Sequence, residues 1–238
     1  MSEQEELEAS APMPPLLLAS ASPRRREILR RLGLPFLAVP ADLDEDAFAA
    51  AFQGSFPDMV EALAVEKARA VAAMEPDFAG LILAADTTVI LDDEMLSKPV
   101  DSEEAARMLR RLRGRRHQVA TGVALYDSRT ARLASGQRST YVWMRNYSDA
   151  EISAYVATGD PLDKAGAYAV QHALFHPVER VEGCYLTVVG LPLCLVMSLL
   201  REQGVVELPL LAAGGAQGCA WSARCVPPLP AGATIAAR

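Results

Sequence analysis

Arg24 and Arg25 stand side by side directly after Ser20-Ala21-Ser22-Pro23. Ser22 is a good N-cap and Pro23 suits a first helical position, so both guanidinium groups fall in the first turn of a helix. A helix start offers unpaired N–H groups and a partial positive charge, and arginine forks match phosphate oxygens. Arginine in a first turn opposes the helix dipole, a cost that a bound anion relieves. The plainer alternative is a capped helix with a solvated basic end. A second segment, Leu83-Ala84-Ala85-Asp86-Thr87-Thr88, carries an apolar run into a carboxylate. An Asp at the end of a buried strand must be paired, hydrated or metal-bound, because burying a lone carboxylate is costly. A Mg²⁺ ion favours one or two carboxylates plus phosphate oxygens. The alternative is an Asp that caps a turn through its own backbone.

Two further segments add to these. Asp44-Glu45 follows an apolar run, and Lys67 lies on the next helical stretch. Glu45 fits a second carboxylate near a metal. Lys67 fits either a phosphate ligand or a group that orients the carboxylates, although charge runs and helix lysines usually face water. The stretch Asp163-Lys164-Ala165-Gly166-Ala167-Tyr168-Ala169-Val170-Gln171 is small and polar at both ends. The Gln171 amide has a donor and an acceptor with which to read the edge of a base. Lys98-Pro99 adds a cation before a rigid turn. No single segment decides the chemistry. Together they supply the arginines, lysines and paired carboxylates that a metal-bound triphosphate needs.

The elements that must hold these groups can be read from apolar spacing. Leu16–Ala19 is a short apolar strand, and the helix begun at Ser22-Pro23 carries a stripe of Ile28, Leu29 and Leu32 before Gly33 ends it. Phe36–Val39 is a second strand, followed by the acidic segment Asp42–Asp46. Asp58–Met74 is a helix with Val60, Leu63, Ala64, Ala68 and Val71 on one face, stopped at Glu75-Pro76. Leu81–Ala85 is a strand that runs into Asp86-Thr87-Thr88 and then Val89–Leu91, with a turn at Asp92-Asp93. Asp101 and Glu104 give a box-like start to a helix reaching Arg113, and Gly114 follows it. Val119–Tyr126 and Gln137–Arg145 form a hairpin through a polar turn at 127–130. Ser148 and Glu151 make a capping box for a helix to Val156, closed by Thr158-Gly159. Cys184–Val189 is expected as a strand, and Pro192 opens a last helix ending near Gly204. Alternating strands and helices followed by a hairpin predict an α/β fold: a mixed twisted sheet flanked by helices. Residues 1–15 are expected as a flexible arm, 16–204 as the folded domain, and 205–238 as an irregular Ala/Gly/Pro-rich tail.

With 238 residues, 51% of them hydrophobic, the chain can build one sizeable domain or two lobes sharing a cleft. A net charge of −7 provides no general field for DNA or RNA, so a phosphate-bearing ligand must be held by local cations or a metal. Cys184, Cys194, Cys219 and Cys225 form no C-x-x-C pair and no zinc spacing, which suits a reducing cytosol. Met1–Glu8 is acidic, the opposite of an export signal. The apolar stretch Cys184–Leu200 is interrupted by Gly190, Pro192 and Ser198 and reads as a buried strand and helix rather than a membrane span. A cytoplasmic location without nucleic-acid or membrane partners is expected.

In their order along the chain, these segments resemble the Maf family of nucleotide pyrophosphatases. The matching stretches are Ser20-Ala21-Ser22-Pro23-Arg24-Arg25, Glu45, Glu66-Lys67-Ala68, Ala85-Asp86-Thr87 and Lys98-Pro99. They continue with His117-Gln118-Val119 and Thr121, Asp163–Tyr168 with Gln171, and Val188-Val189-Gly190-Leu191-Pro192-Leu193. The likeness spans residues 16–203 and leaves the tail outside it. It implies a two-lobed α/β fold with a central cleft, related to the inosine triphosphate pyrophosphatases and often a homodimer. It also implies nucleotide hydrolysis between the α and β phosphates with a divalent cation, Mg or Mn. Carried over by position, Asp86 is the carboxylate that accepts a proton. Glu45 is its partner in catalysis or at the metal. Ser20, Arg25, Lys67 and Lys98 are phosphate or catalytic-site residues. Arg24, Thr87 and Gln171 are the specificity positions of the subgroup acting on dTTP and UTP. The subgroup preferring 7-methyl-GTP departs from this pattern there. Ala21 stands where many members have Gly, which is tolerated at negative φ.

The resemblance thus implies in-line attack of water on the α-phosphorus, with a divalent ion at Asp86 and Glu45 and with Gln171 and Thr87 against a pyrimidine edge. Three rivals remain at this level: a pyrophosphatase for 7-methyl-GTP or another modified nucleotide, a non-catalytic nucleotide-binding regulator of cell division, and a sugar or nucleotidyl transferase.

Overall fold

The structure, a computed structural model, describes residues 13–31, 33–205 and 234–236. Most of the expected arm, Leu32 of the expected apolar stripe, and residues 206–233 and 237–238 of the expected tail lie outside the described residues. The strands are β1 (Leu16–Leu18), β2 (Leu37–Ala38), β3 (Leu81–Leu91), β4 (Glu94–Leu96), β5 (Arg116–Asp127), β6 (Arg132–Met144), β7 (Val178–Glu182) and β8 (Thr234–Ala236). They form one eight-stranded sheet in the order β2-β1-β3-β5-β6-β7-β8, with β4 also paired to β3. β1 is parallel to both β2 and β3, and β8 is parallel to β7. The remaining pairs are antiparallel, so the sheet is mixed as expected.

Helices α1 (Pro23–Arg31), α2 (Glu45–Ala51), α3 (Phe56–Met74), α4 (Ser102–Leu112), α5 (Asp149–Val156), α6 (Tyr185–Val189) and α7 (Leu193–Glu202) flank the sheet. The strand period of two sorts side chains between its faces. Leu81, Leu83 and Ala85 of β3 join the larger core with Leu29 of α1, Leu109 of α4 and Val196 of α7. Ile82 and Ala84 turn the other way, onto Ala64, Ala68 and Val71 of α3. α3 lies against the sheet at Gly122 of β5, where a Cβ would stand 2.2 Å from the Val60 carbonyl oxygen. Only a glycine accepts a helix backbone at that distance.

The caps behave largely as the sequence suggests. Ser148 and Glu151 form a reciprocal capping box, with the Glu151 carboxylate also accepting from Ser148 N at 2.7 Å. Asp101 accepts from Glu104 N at 2.7 Å, but the Glu104 carboxylate accepts from Val100 N rather than from the cap residue. Several elements differ from the sequence reading, among them the strands β4 and β8, the latter inside the expected irregular tail. Cys184–Val189 is not a strand: Tyr185–Val189 is helical, bracketed by Gly183 and Gly190 at φ 119° and 109°. Tyr185, Leu186, Thr187 and Val189 are all buried, so this short helix shows the unbroken apolar run that a buried strand also shows. The strand beside β6 is instead β7, the alternating Val178–Glu182. Helix α2 arises within the acidic segment because Asp44 caps it, accepting from Ala47 N at 2.9 Å. Finally, Asp86 sits inside β3, opposite Gly122 of β5, rather than at the end of a strand. It is β1 that stops short, pairing only with Leu81–Leu83, which leaves that edge of β3 open just before Asp86.

Candidate active site

One cleft of about 780 Å³ opens at this truncated edge of the parallel strands. Ser20, Arg24 and Arg25 line it from the loop after β1 and the start of α1, and Glu45 and Lys67 from α2 and α3. Asp86, Thr87, Lys98 and Gln171 complete the set of residues singled out in the sequence, so all of them meet in one place.

Lys67 is the hub of the acidic side. It descends from α3, where Met59, Leu63 and Lys67 recur every fourth residue on the face toward the cleft. Its ammonium lies 2.6 Å from Asp86 Oδ1 and 2.9 Å from Glu45 Oε1. The Lys67 side chain is only 8% exposed, so these contacts satisfy a charge that water barely reaches. Lys67 thus joins the two carboxylates, the arrangement that the second of its two sequence readings describes. Asp86 Oδ2 and Glu45 Oε2 accept no hydrogen bond among the described residues. Two carboxylates with oxygens to spare are the donors that a hard divalent ion shares with phosphate. Among the described residues no group of three His, Cys, Asp or Glu side chains forms a complete protein cage for a metal.

Arg25 is the hub of the basic side. Its Nε donates to Gly190 O at 2.8 Å, Nη1 to Ser20 Oγ at 3.1 Å and Nη2 to Thr87 Oγ1 at 3.1 Å. Burial lowers its pKa, and Arg24 adds to that, whereas Asp86 and Glu45 pull it back up. An arginine remains charged through such shifts, so the site keeps a fixed cation close to its carboxylates. Ser22 is a weak cap, with its Oγ 3.5 Å from Arg25 N. Gly190 needs its glycine: besides the positive φ, a Cβ would stand 3.1 Å from Thr87 Oγ1.

The other cations differ in how committed they are. Arg24 lies 3.6 Å from Asp163 across the cleft. Lys164 is buried and donates to the carboxylates of Asp160 and Asp163. Lys98 is exposed at the cleft and makes no ion pair among the described residues. Gln171 is exposed at the cleft, and its side chain hydrogen-bonds the hydroxyl of Tyr185, a phenol that burial pushes up to about 12. Behind the cleft wall, His117 Nε2 and the Tyr168 hydroxyl are 2.7 Å apart, both groups buried.

Two features of the site carry no role in the sequence reading. Asp163 links Arg24 to Lys164. Thr121, fully buried on β5, donates to Thr187 O at 2.7 Å and lies 2.9 Å from Thr87 Oγ1. The signal for Thr121 is the β3–β5 register, which places it directly opposite Thr87.

A mixed sheet with a cleft of about 780 Å³, cations on one wall and a lysine-bridged acid pair on the other, defines an α/β protein with a site of mixed charge. Residues 15–203 match the family described as Maf-like protein, and the chain belongs to that family. Relatives of the chain carry names that state a substrate. A dTTP/UTP pyrophosphatase of Moorella thermoacetica is 48% identical over 193 residues, covering 81% of this chain and 97% of its own. A dTTP/UTP pyrophosphatase of Pelotomaculum thermopropionicum is 45% identical over 193 residues, covering 81% and 98%. That of Thermomicrobium roseum is 47% identical over 190 residues, covering 79% and 84%. Among the described residues no helix is long and apolar enough to cross a membrane.

Proposed function

We propose that this chain is a nucleoside triphosphate pyrophosphatase that hydrolyses dTTP and UTP to the monophosphate and pyrophosphate. The observation that carries the reading is the convergence of the Lys67-bridged Glu45–Asp86 pair with Arg24 and Arg25 in one cleft. The relatives' names supply the substrates.

In the proposed reaction a water oxygen bonds to the α-phosphorus as the bond from that phosphorus to the α–β bridging oxygen breaks. Asp86 takes the water's proton. Lys67 holds Asp86 and Glu45 in position through its two ion pairs. The guanidinium groups of Arg24 and Arg25, with Lys98, stabilise charge on the departing pyrophosphate. Ser20 fixes one edge of Arg25. The Gln171 amide meets the pyrimidine, where a site built for its N–H and carbonyls leaves groups unpaired when given a purine. Asp86 and Glu45 would hold a Mg or Mn ion, which neutralises phosphate charge and acidifies water when bound. Nucleoside triphosphates are intracellular metabolites, which assigns this work to the cytoplasm.

The test is pyrophosphate release from a panel of dTTP, UTP, CTP, dATP and 7-methyl-GTP with Mg²⁺ or Mn²⁺. Release from dTTP and UTP in preference to the rest is expected, and Asp86→Asn should lower kcat by at least about 100-fold. Turnover by Asp86→Asn near the wild-type rate removes its role. Folded wild-type protein that binds nucleotides but cleaves none sinks the enzyme reading.

A further inference from the structure

The hydrogen bonds behind Arg25 have a forced direction. A carbonyl only accepts, so the single hydroxyl proton of Thr121 goes to Thr187 O at 2.7 Å. The 2.9 Å contact between the two threonine hydroxyls then has Thr87 as donor and Thr121 as acceptor. A guanidinium only donates, so Thr87 Oγ1 accepts from Arg25 Nη2. The chain runs one way: Arg25 to Thr87, Thr87 to Thr121, Thr121 to the carbonyl of Thr187. Thr87 has no proton left for a nucleobase. Three of the five N–H donors of Arg25 are held by Gly190, Ser20 and Thr87, leaving two for an anion.

We propose that Thr121 is a positioning residue for the pyrophosphatase reaction, acting through Thr87 to aim the two remaining donors of Arg25 at substrate phosphate. It touches no substrate. By giving the Thr87 proton an acceptor, it turns the Thr87 lone pair toward Arg25. Thr87, which the resemblance sets against a pyrimidine edge, thus serves the phosphate end of the site. Thr121 is fully buried and Thr87 half-buried, and a Thr87 hydroxyl without its acceptor would turn to another partner and release Nη2.

This inference rests on the pyrophosphatase reading, and the test separates the two. The variants are Thr121→Val, which keeps the shape and removes the hydroxyl, and Thr121→Ser, which keeps the hydroxyl. The readouts are KM for dTTP and the inhibition constant of inorganic pyrophosphate. Thr121→Val should raise both by about 10-fold, the effect of one hydrogen bond to a charged group, with kcat changed less. Thr121→Ser should restore both to within about 3-fold of wild type. Thr87→Val should raise both similarly, and the double variant no further than the larger single effect, because both act through one chain. If Thr121→Val does not fold, Thr87→Val and Thr121→Ser carry the test. Wild-type constants in Thr121→Val or Thr87→Val, additive effects in the double variant, or no rescue by serine overturns the proposal and leaves the pyrophosphatase reading standing. Wild-type protein that neither binds pyrophosphate nor cleaves dTTP overturns both.

Discussion

Lys67 holds two carboxylates with one ammonium, and its replacement tests what that contact does. Lys67→Met leaves Asp86, whose side chain is 14% exposed, beside Glu45 with no cation between them. Repulsion and the unpaired Asp86 should cost about 2 kcal/mol, or roughly 6 °C in melting temperature for a chain of this size. The variant should lose at least about 100-fold in kcat/KM for dTTP. Part of the lost melting temperature should return when Mn²⁺ replaces EDTA, because a divalent ion binding the folded state can pair the same carboxylates. Thermal unfolding with and without Mn²⁺ reads this. A melting temperature in EDTA equal to wild type would mean that the bridge is not structural. Arg25 differs in kind: its contacts are hydrogen bonds to neutral groups from three separate segments, so it is aimed rather than neutralised.

Among the elements, α3 and β5 set the framework by direct backbone contact. Gly122→Ala drives a methyl into the Val60 carbonyl and should destabilise by about 3 kcal/mol or more, since two backbones must part. Gly136→Ala on β6 is the control: its nearest neighbour is the tip of Leu195 at 3.0 Å, a flexible methyl, so the cost should stay within about 1 kcal/mol. Urea unfolding of both variants makes the comparison, and equal costs would refute the backbone argument. Elements of this kind were legible in the sequence where their signals were redundant. The helix over 58–74 shows an apolar face, and Ser148 and Glu151 mark a start whose cap is present. Elements were lost where one signal had two meanings. The run at 184–189 has no period to separate helix from strand, and the carboxylate of Asp44 reads as solvated charge until Ala47 N is seen to bond it. The site residues were legible by type and order. Their couplings were not: the Lys67 bridge depends on how α2 and α3 approach β3, and the role of Thr121 depends on a strand register.

For the whole molecule, one buried imidazole shapes stability toward acid. Burial takes His117 from 6.5 down to about 3, so the native protein keeps it neutral while the unfolded chain accepts a proton below pH 6.5. Its contribution is therefore complete above pH 6.5 and lost as pH falls from there toward 3. Between pH 6.5 and 5 the loss should be about 2 kcal/mol. Carboxylates act lower: Glu151, held at about 2 chiefly by the Ser148 backbone N–H and then by Arg145, weakens the fold only below its ordinary 4.5. His117→Gln should flatten the decline between pH 6.5 and 5 in urea midpoints while keeping a partner for Tyr168. An unchanged slope would place the acid sensitivity elsewhere. The bare contact at Gly122 has a consequence of its own for the acid pair. With backbone resting on backbone, the clearance between α3 and β3 cannot be retuned by repacking side chains. That gap gauges which cation fits beneath the helix. A four-carbon stem ending in a compact ammonium spans it, whereas the longer, planar head of an arginine at position 67 would have to displace α2, the member of this frame with no buried residues.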